Sequence, residues 1–427
     1  MNPKARVILR RADSYDPALI SRIIKEGLHE LGLNSKLRGR ITIKPNVVMA
    51  HHKVMPSAYT RPEFLDGLLT AISETAAPPA SITVAEKCGA AIPTARMFRR
   101  AGYRKLRKKH RFRLQAIEEA RKTTIKLKKG KVHQKIRTAR EIAERDFLIY
   151  TPKLKTNALA HGLTAALKLN IGILCDGERM WNHNYNLDEK IVDLLEVGRP
   201  DFIATDGIEI SCGGNHLTQH GRHLGIIIMA ADPLAHDVVC ARIFHLDPHQ
   251  IGHLAAARDR GYGSLDSGDI EISGDISLQE VRERSKTFET GFIHADEVNC
   301  GIKVISGEPY CTGGCHGVFL DWLYMIKDRK PALWSRLPPW TAVIGKYKGD
   351  VTADRLLLIG TCTEIDGKIA ARKKRRIRGC PPKHKTLVLL LFLKAGILNP
   401  LFRLDLIIDA YPFLFLSWLR RLVRGRI

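Results

Sequence analysis

The sequence predicts an α/β fold with a mixed, largely parallel sheet and flanking helices, followed by a small cysteine-containing C-terminal domain and an apolar tail. Strand-like apolar segments alternate with amphipathic helical segments from residue 5 to residue 85. Apolar residues make up 44 % of the 427 residues, which permits a large core and excludes wholesale disorder. Four cysteines follow residue 310. The expected units are an α/β domain at 1–300 with a basic insertion near 99–140, a four-cysteine domain at 301–385, and a tail at 386–427.

The first half of the chain contains the elements that favour parallel strands. Strands are predicted at residues 5–10, 41–43 and 81–85, and helices are predicted to start at Pro17 and Pro62. Two parallel strands need a long crossover between them, and each of these helices supplies one. Buried strands are also predicted at residues 146–150, 202–205 and 224–229, with a helix from Pro233 to Phe244.

Positive charge is concentrated in two segments. Residues 99–140 hold 18 Lys or Arg against two acids, a net +16 of the total +25, and residues 372–378 add six more. Residues 123–136 read as a hairpin with one lysine-rich face. The basic stripe indicates either an anionic partner or a solvated charged face. Nucleic acid is not the expected partner, because aromatics are only 7 % and no nucleic-acid module is recognisable.

Six motifs in a fixed order link this chain to a known family. They are Ile43-Lys44-Pro45-Asn46, Thr60-Arg61-Pro62-Glu63, Pro152-Lys153-Leu154-Lys155-Thr156, the segment 162–170, Asp206-Gly207-Ile208 and Ala231-Asp232-Pro233-Leu234-Ala235-His236-Asp237. The set resembles the family catalogued as domain of unknown function 362, over about residues 5–275. The resemblance implies this fold, an iron–sulfur association and a redox context, but no known substrate. The chain departs from this family in two places. It has no C-x2-C-x2-C run of the ferredoxin-like kind. Its residues after the strand at 81–85 are Ala85-Glu86-Lys87-Cys88-Gly89, where an Asp-Ser or Asp-Gly loop is expected.

Lysines flank the predicted strand ends and indicate a ligand site. The lysines are Lys44, Lys153, Lys155 and Lys168, with Asn46, Thr156 and Asn157 as neutral hydrogen-bonding neighbours. Ligands of open α/β sheets bind beyond the carboxyl ends of the strands, and ammonium groups there suit an anionic small molecule. The alternative is that they are surface lysines in loops. Lys153, Lys155 and His183 are the catalytic candidates, His183 because a histidine pKa lies near working pH, although it also fits a structural histidine.

The cysteines give the sharpest motif. Cys311 and Cys315 form a C-x3-C pair on a Gly-rich turn, Cys362 follows a predicted strand at 356–360, and Cys380 precedes two prolines. Four thiolates are what a 4Fe–4S cluster needs, and glycines let the backbone approach its sulfides. A structural zinc site or four unrelated thiols remain the alternatives. The other five cysteines read mostly as core thiols.

The C-terminal tail has the profile of an interfacial anchor. Seven apolar residues at 387–393 are followed by interrupted apolar positions, Trp418 and a terminal arginine cluster. This pattern favours attachment to an anionic membrane surface over a dimerisation or core helix, and over a true span, which needs about 20 mostly apolar residues. No Sec signal is recognisable in residues 1–11, so the expected location is the cytoplasm, peripheral on the inner face of the membrane.

The sequence therefore predicts an iron–sulfur protein with a redox-linked role that binds an anionic ligand on a lysine-lined α/β site. An electron-transfer partner belongs to this prediction, and an iron–sulfur oxidoreductase is the enzyme class considered. The alternative is a non-redox binding or assembly protein with a structural four-cysteine zinc site. Its basic surface would dock nucleic acid or acidic partners.

Overall fold

The computed structural model describes residues 4–425 except 52–54, 90–91, 157–161, 176–177, 180–185, 214–219, 291–292, 295–296, 309–311, 330, 338, 381, 383–385 and 387–403. The strands are β1 (Ala5–Arg11), β2 (Arg38–Pro45), β3 (Ala77–Glu86), β4 (Arg113–Ala116), β5 (Lys122–Lys126), β6 (Lys135–Ala139), β7 (Phe147–Thr151), β8 (Lys153–Lys155), β9 (Phe202–Cys212), β10 (His220–Ala230), β11 (Ile270–Gly274), β12 (Lys303–Gly307), β13 (Thr341–Lys348), β14 (Val351–Asp366) and β15 (Ile369–Ile377). The helices are α1 (Pro17–Glu30), α2 (Pro62–Thr75), α3 (Thr94–Arg100), α4 (Tyr103–Leu106), α5 (Arg140–Ala143), α6 (Ala166–Leu169), α7 (Leu187–Asp193), α8 (Leu195–Gly198), α9 (Pro233–Ile243), α10 (Gly252–Asp259), α11 (Leu278–Ser285), α12 (Gly317–Arg329) and α13 (Leu404–Val423).

A mixed sheet organises the first 280 residues, which confirms the predicted fold class. Its order is β11-β1-β10-β9-β7-β2-β3-β4, with β8 pairing β9 off this path. Strands β9, β7, β2, β3 and β4 run parallel, whereas β10 is antiparallel to both β9 and β1. Because β2, β3, β7 and β9 are parallel neighbours, their carboxyl ends meet at one edge of the sheet. The basic insertion is more than a hairpin, since β4 extends this sheet.

Helices cover both faces of the sheet and enclose two cores. One face buries Ile24, Leu28, Phe64 and Leu68 of α1 and α2. The other buries side chains of α9 and α10, including Val239 and Leu254. Strands covered on both faces read as continuous apolar runs, as β7 does with all five residues buried.

The predicted helix starts agree with the capping chemistry. The Asp16 side chain accepts a hydrogen bond from the backbone N–H of Ala18, and Pro17 is the first residue of α1. The Asp232 side chain likewise accepts from the N–H groups of Leu234 and Ala235 ahead of α9. An aspartate cap followed by proline satisfies orphan donors and presets the helical φ angle, which is why sequence alone located both starts.

A second sheet, β12-β13-β14-β15, is parallel throughout. Between β14 and β15 the paired residues are 18 positions apart, from Val351 with Ile369 to Ile359 with Ile377. The strand predicted at 356–360 is longer than expected: β14 extends to Asp366, so Cys362 lies inside it. Facing β13, Ile344 pairs with Ile359 but Lys346 pairs with Glu364, so residues 360–363 bulge out of the ladder.

The basic hairpin and the terminal helix both rest on the main domain. Strands β5 and β6 pair antiparallel as predicted. The loop between them is held by Asp193, which accepts from the N–H groups of Lys131, Val132 and His133. Helix α13 is attached by Arg420, whose guanidinium binds the Glu119 carboxylate at 2.6 Å. None of the helices in the described part of the chain is long and apolar enough to cross a membrane.

Candidate functional site

The carboxyl ends of β2 and β3 bring a buried lysine against a buried acid. Lys44 comes one residue before the end of β2, and Glu86 ends β3. The Nζ of Lys44 donates to Oε2 of Glu86 at 2.9 Å, and neither side chain is more than 2 % exposed. Burial lowers the pKa of Lys44, while the attraction of Glu86 opposes that shift. The pair fits closely under Gly172, because a Cβ there would overlap the Glu86 carboxylate and the Lys44 ammonium.

A second buried ion pair lies beyond β7, and a tyrosine from the loop between β1 and α1 forms hydrogen bonds with both of its members. Lys153 donates from Nζ to Oδ2 of Asp206 at 3.1 Å and to the hydroxyl of Tyr15 at 2.7 Å. The Tyr15 hydroxyl donates in turn to Oδ1 of Asp206 at 2.8 Å. The backbone N–H of Arg61 donates to the same carboxylate at 3.0 Å. Burial and the Asp206 charge raise the pKa of Tyr15, so its hydroxyl stays protonated.

Lys155 belongs to the same cluster, but none of the described residues forms an ion pair with it. It is 3 % exposed, and no hydrogen bond joins its Nζ to any residue that the structure describes. Burial lowers the pKa of Lys155 to about 7; the attraction of Glu86 opposes this, while the positive charges of Lys44, Arg179 and Lys153 add to it. A lysine with this pKa can serve either as an ammonium that attracts an anion or as an amine that accepts a proton.

Two of the neutral neighbours predicted for this site are also buried here. The backbone N–H of Asn46 donates to Oγ1 of Thr60 at 3.0 Å, and that hydroxyl donates to the Thr151 carbonyl. Thr156 is fully buried, and its N–H donates to the Ser211 carbonyl at 3.0 Å. These contacts join the ends of β2, β7 and β9.

Of the three remaining predicted residues, one is described and two lie outside the described residues. Lys168 sits on the short helix α6, whose first N–H groups, of Ala166 and Leu167, donate to the Asp237 carboxylate. Asn157 and His183 fall outside the described residues.

Sequence reasoning missed Glu86, Asp206 and Tyr15 as partners of the lysines. Glu86 lies in the segment 85–89, where the chain departs from the family pattern. That departure is the one feature of the sequence that could have marked Glu86 as a site residue. Asp206 lies in a family-like motif but 53 residues from Lys153. Nothing in the sequence around Tyr15 marks it, since its role depends on β1 lying two strands from β9.

The second sheet brings Cys362 and Cys380 side by side. The 18-residue offset of β14 and β15 continues past their last pair, because the N–H of Thr361 donates to the Gly379 carbonyl at 3.0 Å. The next residues in that register are Cys362 and Cys380, and both are exposed. The guanidinium of Arg376 fixes the bulge by donating to the carbonyls of Gly360, Thr361 and Thr363.

Cys315 approaches the same bulge from the π-helical turn Thr312–His316. A Cβ placed on Gly360 would lie 2.7 Å from the Cys315 sulfur, so the absent side chain lets the thiol reach the backbone. Gly360 also has a φ of +102°, which disfavours other residues. Cys315 therefore lies against the backbone of the bulge that contains Cys362, Cys380 lies on the neighbouring chain segment, and Cys311 lies outside the described residues. Within those residues, no group of three or more His, Cys, Asp and Glu is arranged to hold a metal ion.

Cysteines of the main domain have a different character. Cys88, Cys212 and Cys240 are buried, and burial raises the pKa of each thiol, that of Cys212 to about 11. A thiol rather than a thiolate at neutral pH is a poor metal ligand and a poor nucleophile.

Comparisons with known proteins identify the family of the main domain. Residues 41–242 match the family described as Domain of unknown function (DUF362), which confirms the resemblance. No curated protein matches the chain. Among solved structures, the chain is similar to the lactate racemase apoprotein from Thermoanaerobacterium thermosaccharolyticum, at 13 % identity and a TM-score of 0.35, over 56 % of this chain and 57 % of that one. It is also similar to a loganic acid methyltransferase with SAH, at 11 % identity and a TM-score of 0.21, over 64 % and 72 % of the two chains. The chain thus spans little more than half the length of the racemase that it matches.

Proposed function

We propose that this chain, whose residues 41–242 form a domain of the DUF362 family, binds an anionic small molecule at its buried lysine cluster and couples that site to an iron–sulfur centre. The observation that carries the ligand site is the position of Lys155 between two buried ion pairs at the carboxyl edge of parallel strands. This edge is where ligands of open α/β sheets bind.

Charge at the cluster favours an anion. Lys44 and Lys153 are each offset by a carboxylate, so they act mainly by orienting the site. Lys155 and Arg179 add two further cationic groups to a cluster in which Glu86 and Asp206 already bind Lys44 and Lys153. At a buried site the interaction between opposite charges is much stronger than in water, so an oxyanion next to Lys155 stabilises its protonated form. Proton transfer to or from the ligand would then fall to Lys155, with Lys153 and Tyr15 setting its surroundings.

The pH dependence of stability tests the environment of Lys155. Between about pH 7 and the ordinary lysine pKa of 10.5, the unfolded chain holds a proton that the folded chain has released. Unfolding free energy should therefore rise with pH across this range, with a slope of up to about 1.4 kcal/mol per pH unit, and be flat below it. In urea unfolding, the Lys155→Met variant should lack this rise in unfolding free energy. Its stability should exceed that of the parent by the largest amount below pH 7, where the parent buries a charged lysine. Parallel pH profiles for the two proteins would place Lys155 in an ordinary solvated environment.

Ligand binding gives the functional test. Oxalate and inorganic phosphate, titrated calorimetrically into the full chain, should bind more tightly at pH 6 than at pH 9, and Lys155→Met should bind at least tenfold more weakly. Lys25→Met is the matched control, because the Lys25 side chain is 42 % exposed and forms an ion pair with Glu74 on the surface. Equal affinities of parent and Lys155→Met, or binding that does not change with pH, would contradict the proposal.

The iron–sulfur part of the proposal is supported by the arrangement around Gly360. Cys315, Cys362 and Cys380 would hold a 4Fe–4S cluster together with Cys311, and the cluster would accept and release single electrons. The cleared space at Gly360 and the register of β14 with β15 support this set. A redox-linked reaction at the lysine site would need an electron-transfer partner.

The proposed location is the inner face of a membrane, with α13 as the attachment site. Eight of the nine large apolar side chains that are exposed among the described residues belong to α13. Leu404, Ile408, Tyr411, Phe415 and Trp418 recur at spacings of four and three, which places them along one stripe. Arg420 and Phe413 hold the helix to the main domain through Glu119 and Arg96. An apolar stripe with arginines beside it favours an anionic lipid surface.

Vesicle sedimentation tests this attachment. The full chain should sediment with anionic vesicles, and high salt should weaken but not abolish binding, because salt screens only the basic contribution of about 1 kcal/mol per residue. Replacing Ile408 and Phe415 by aspartate should release the protein. The control is Ile369→Asp, since Ile369 is the one large apolar residue outside α13 that is exposed among the described residues. Sedimentation that is unchanged by the double replacement would exclude α13 as the anchor.

A further inference from the structure

A cavity of about 550 Å³ opens on the second sheet, away from the lysine cluster. It is lined by Trp340, Arg355, Lys373, Lys374 and Arg375, with two leucines of β14 as an apolar wall. Four of these side chains are cationic, and they come from the neighbouring strands β14 and β15. Part of the basic segment 372–378 therefore lines a concave site on this strand.

The register concentrates these charges. Arg355 pairs with Lys373 across the two parallel strands, and the next two pairs are Leu356 with Lys374 and Leu357 with Arg375. Neighbouring strands lie only about 4.8 Å apart, so like charges repel at these positions. Among the described residues, Arg355 has an ion pair with Asp354 at 3.7 Å, whereas Lys373, Lys374 and Arg375 have none within 4 Å. The cavity thus holds cationic charge that this part of the protein does not neutralise.

We infer that this cavity binds the phosphate group of an organic phosphate. A phosphate offers several acceptor oxygens, which match the guanidinium and ammonium groups of the residues that line the cavity. The leucine wall suits the organic part. The site is distinct from the cysteines, because Cys362 lies five residues beyond Leu357, the nearest lining residue of β14, which is roughly 16 Å at about 3.3 Å per residue. It is also distinct from the ligand site proposed for the main domain.

Calorimetric titration of the full chain at 150 mM salt tests the inference. The probes are ATP, which represents soluble nucleotides, and glycerophosphoinositol 4,5-bisphosphate, which represents a lipid headgroup. At least one probe should bind with one site per chain, and the tighter of the two identifies the source of the phosphate. Arg375→Ala combined with Lys374→Ala should weaken binding at least tenfold.

Two controls separate this site from other positive charge. Lys348→Ala removes an exposed lysine of β13 that does not line the cavity, and it should leave the affinity within twofold. Lys155→Met alters the main-domain site and should also leave it unchanged. Thermal melts should show that the Arg375 and Lys374 double variant remains folded. Binding of neither probe at 1 mM, or equal losses in the double variant and in Lys348→Ala, would overturn the inference.

Discussion

Replacing Asp206 by alanine is expected to lower the free energy of unfolding by about 3–5 kcal/mol, because it leaves the ammonium of Lys153 buried without its partner. Asp206 and Lys153 are both fully buried, and Asp206 also accepts from Tyr15 and from the N–H of Arg61. The loss exceeds that of an ordinary hydrogen bond because a charge, and not only a polar group, is left uncompensated in a poorly solvated site.

Urea unfolding of Asp206→Ala and of two comparison variants tests this expectation. Glu271→Ala breaks a surface pair with Arg6 in which both side chains are more than 40 % exposed, and it should cost less than about 1 kcal/mol. Combining Asp206→Ala with Lys153→Met removes both charges and should recover part of the loss. A cost for Asp206→Ala no larger than that for Glu271→Ala would show that the pair is solvated and that the buried cluster does not form.

Loss of iron is the expected result of changing any one of Cys315, Cys362 and Cys380 to serine. A serine hydroxyl remains protonated at neutral pH and cannot replace a thiolate on iron, so anaerobically purified variants should retain little of the cluster iron. The Cys362 and Cys380 variants should stay folded, because both residues are exposed and contribute little to the core, whereas Cys315 is buried and its variant needs a thermal melt beside the iron measurement.

Cys175→Ser is the matched control for this loss. Cys175 is half-buried in the main domain, and burial raises the pKa of its thiol. Iron measured per folded chain should therefore equal that of the parent. If the three variants retain as much iron as Cys175→Ser, these cysteines do not hold the cluster.

Much of the main domain could be predicted because its information is local. Aspartate caps, prolines at first helical positions and unbroken apolar strands mark their elements within a few residues, and the carboxyl ends of parallel strands converge whatever the details of packing. That reasoning brought Lys44, Lys153 and Lys155 to one edge. It could not show that they are buried rather than exposed in loops, because burial depends on Glu86, Asp206 and Tyr15, which arrive from distant segments.

The cysteine site depends more on strand pairing than on local sequence signals. Spacing alone grouped four thiols but placed Cys362 after its strand, since nothing local indicates that β14 continues through a bulge. What brings Cys362 beside Cys380 is the 18-residue register of two parallel strands, and what admits Cys315 is the missing side chain of Gly360. The register is a property of strand pairing, which single-sequence patterns do not specify, and the importance of Gly360 follows only from its place in the bulge beside Cys315.

Metal and sulfide analysis of the full chain, purified without oxygen, tests the central claim most directly. The account predicts about four iron and four acid-labile sulfides per chain, together with a broad visible absorption band that bleaches on reduction. One zinc per chain and no sulfide would instead indicate a structural four-cysteine site. That result, or a protein free of metal, would contradict a redox-linked role for this chain.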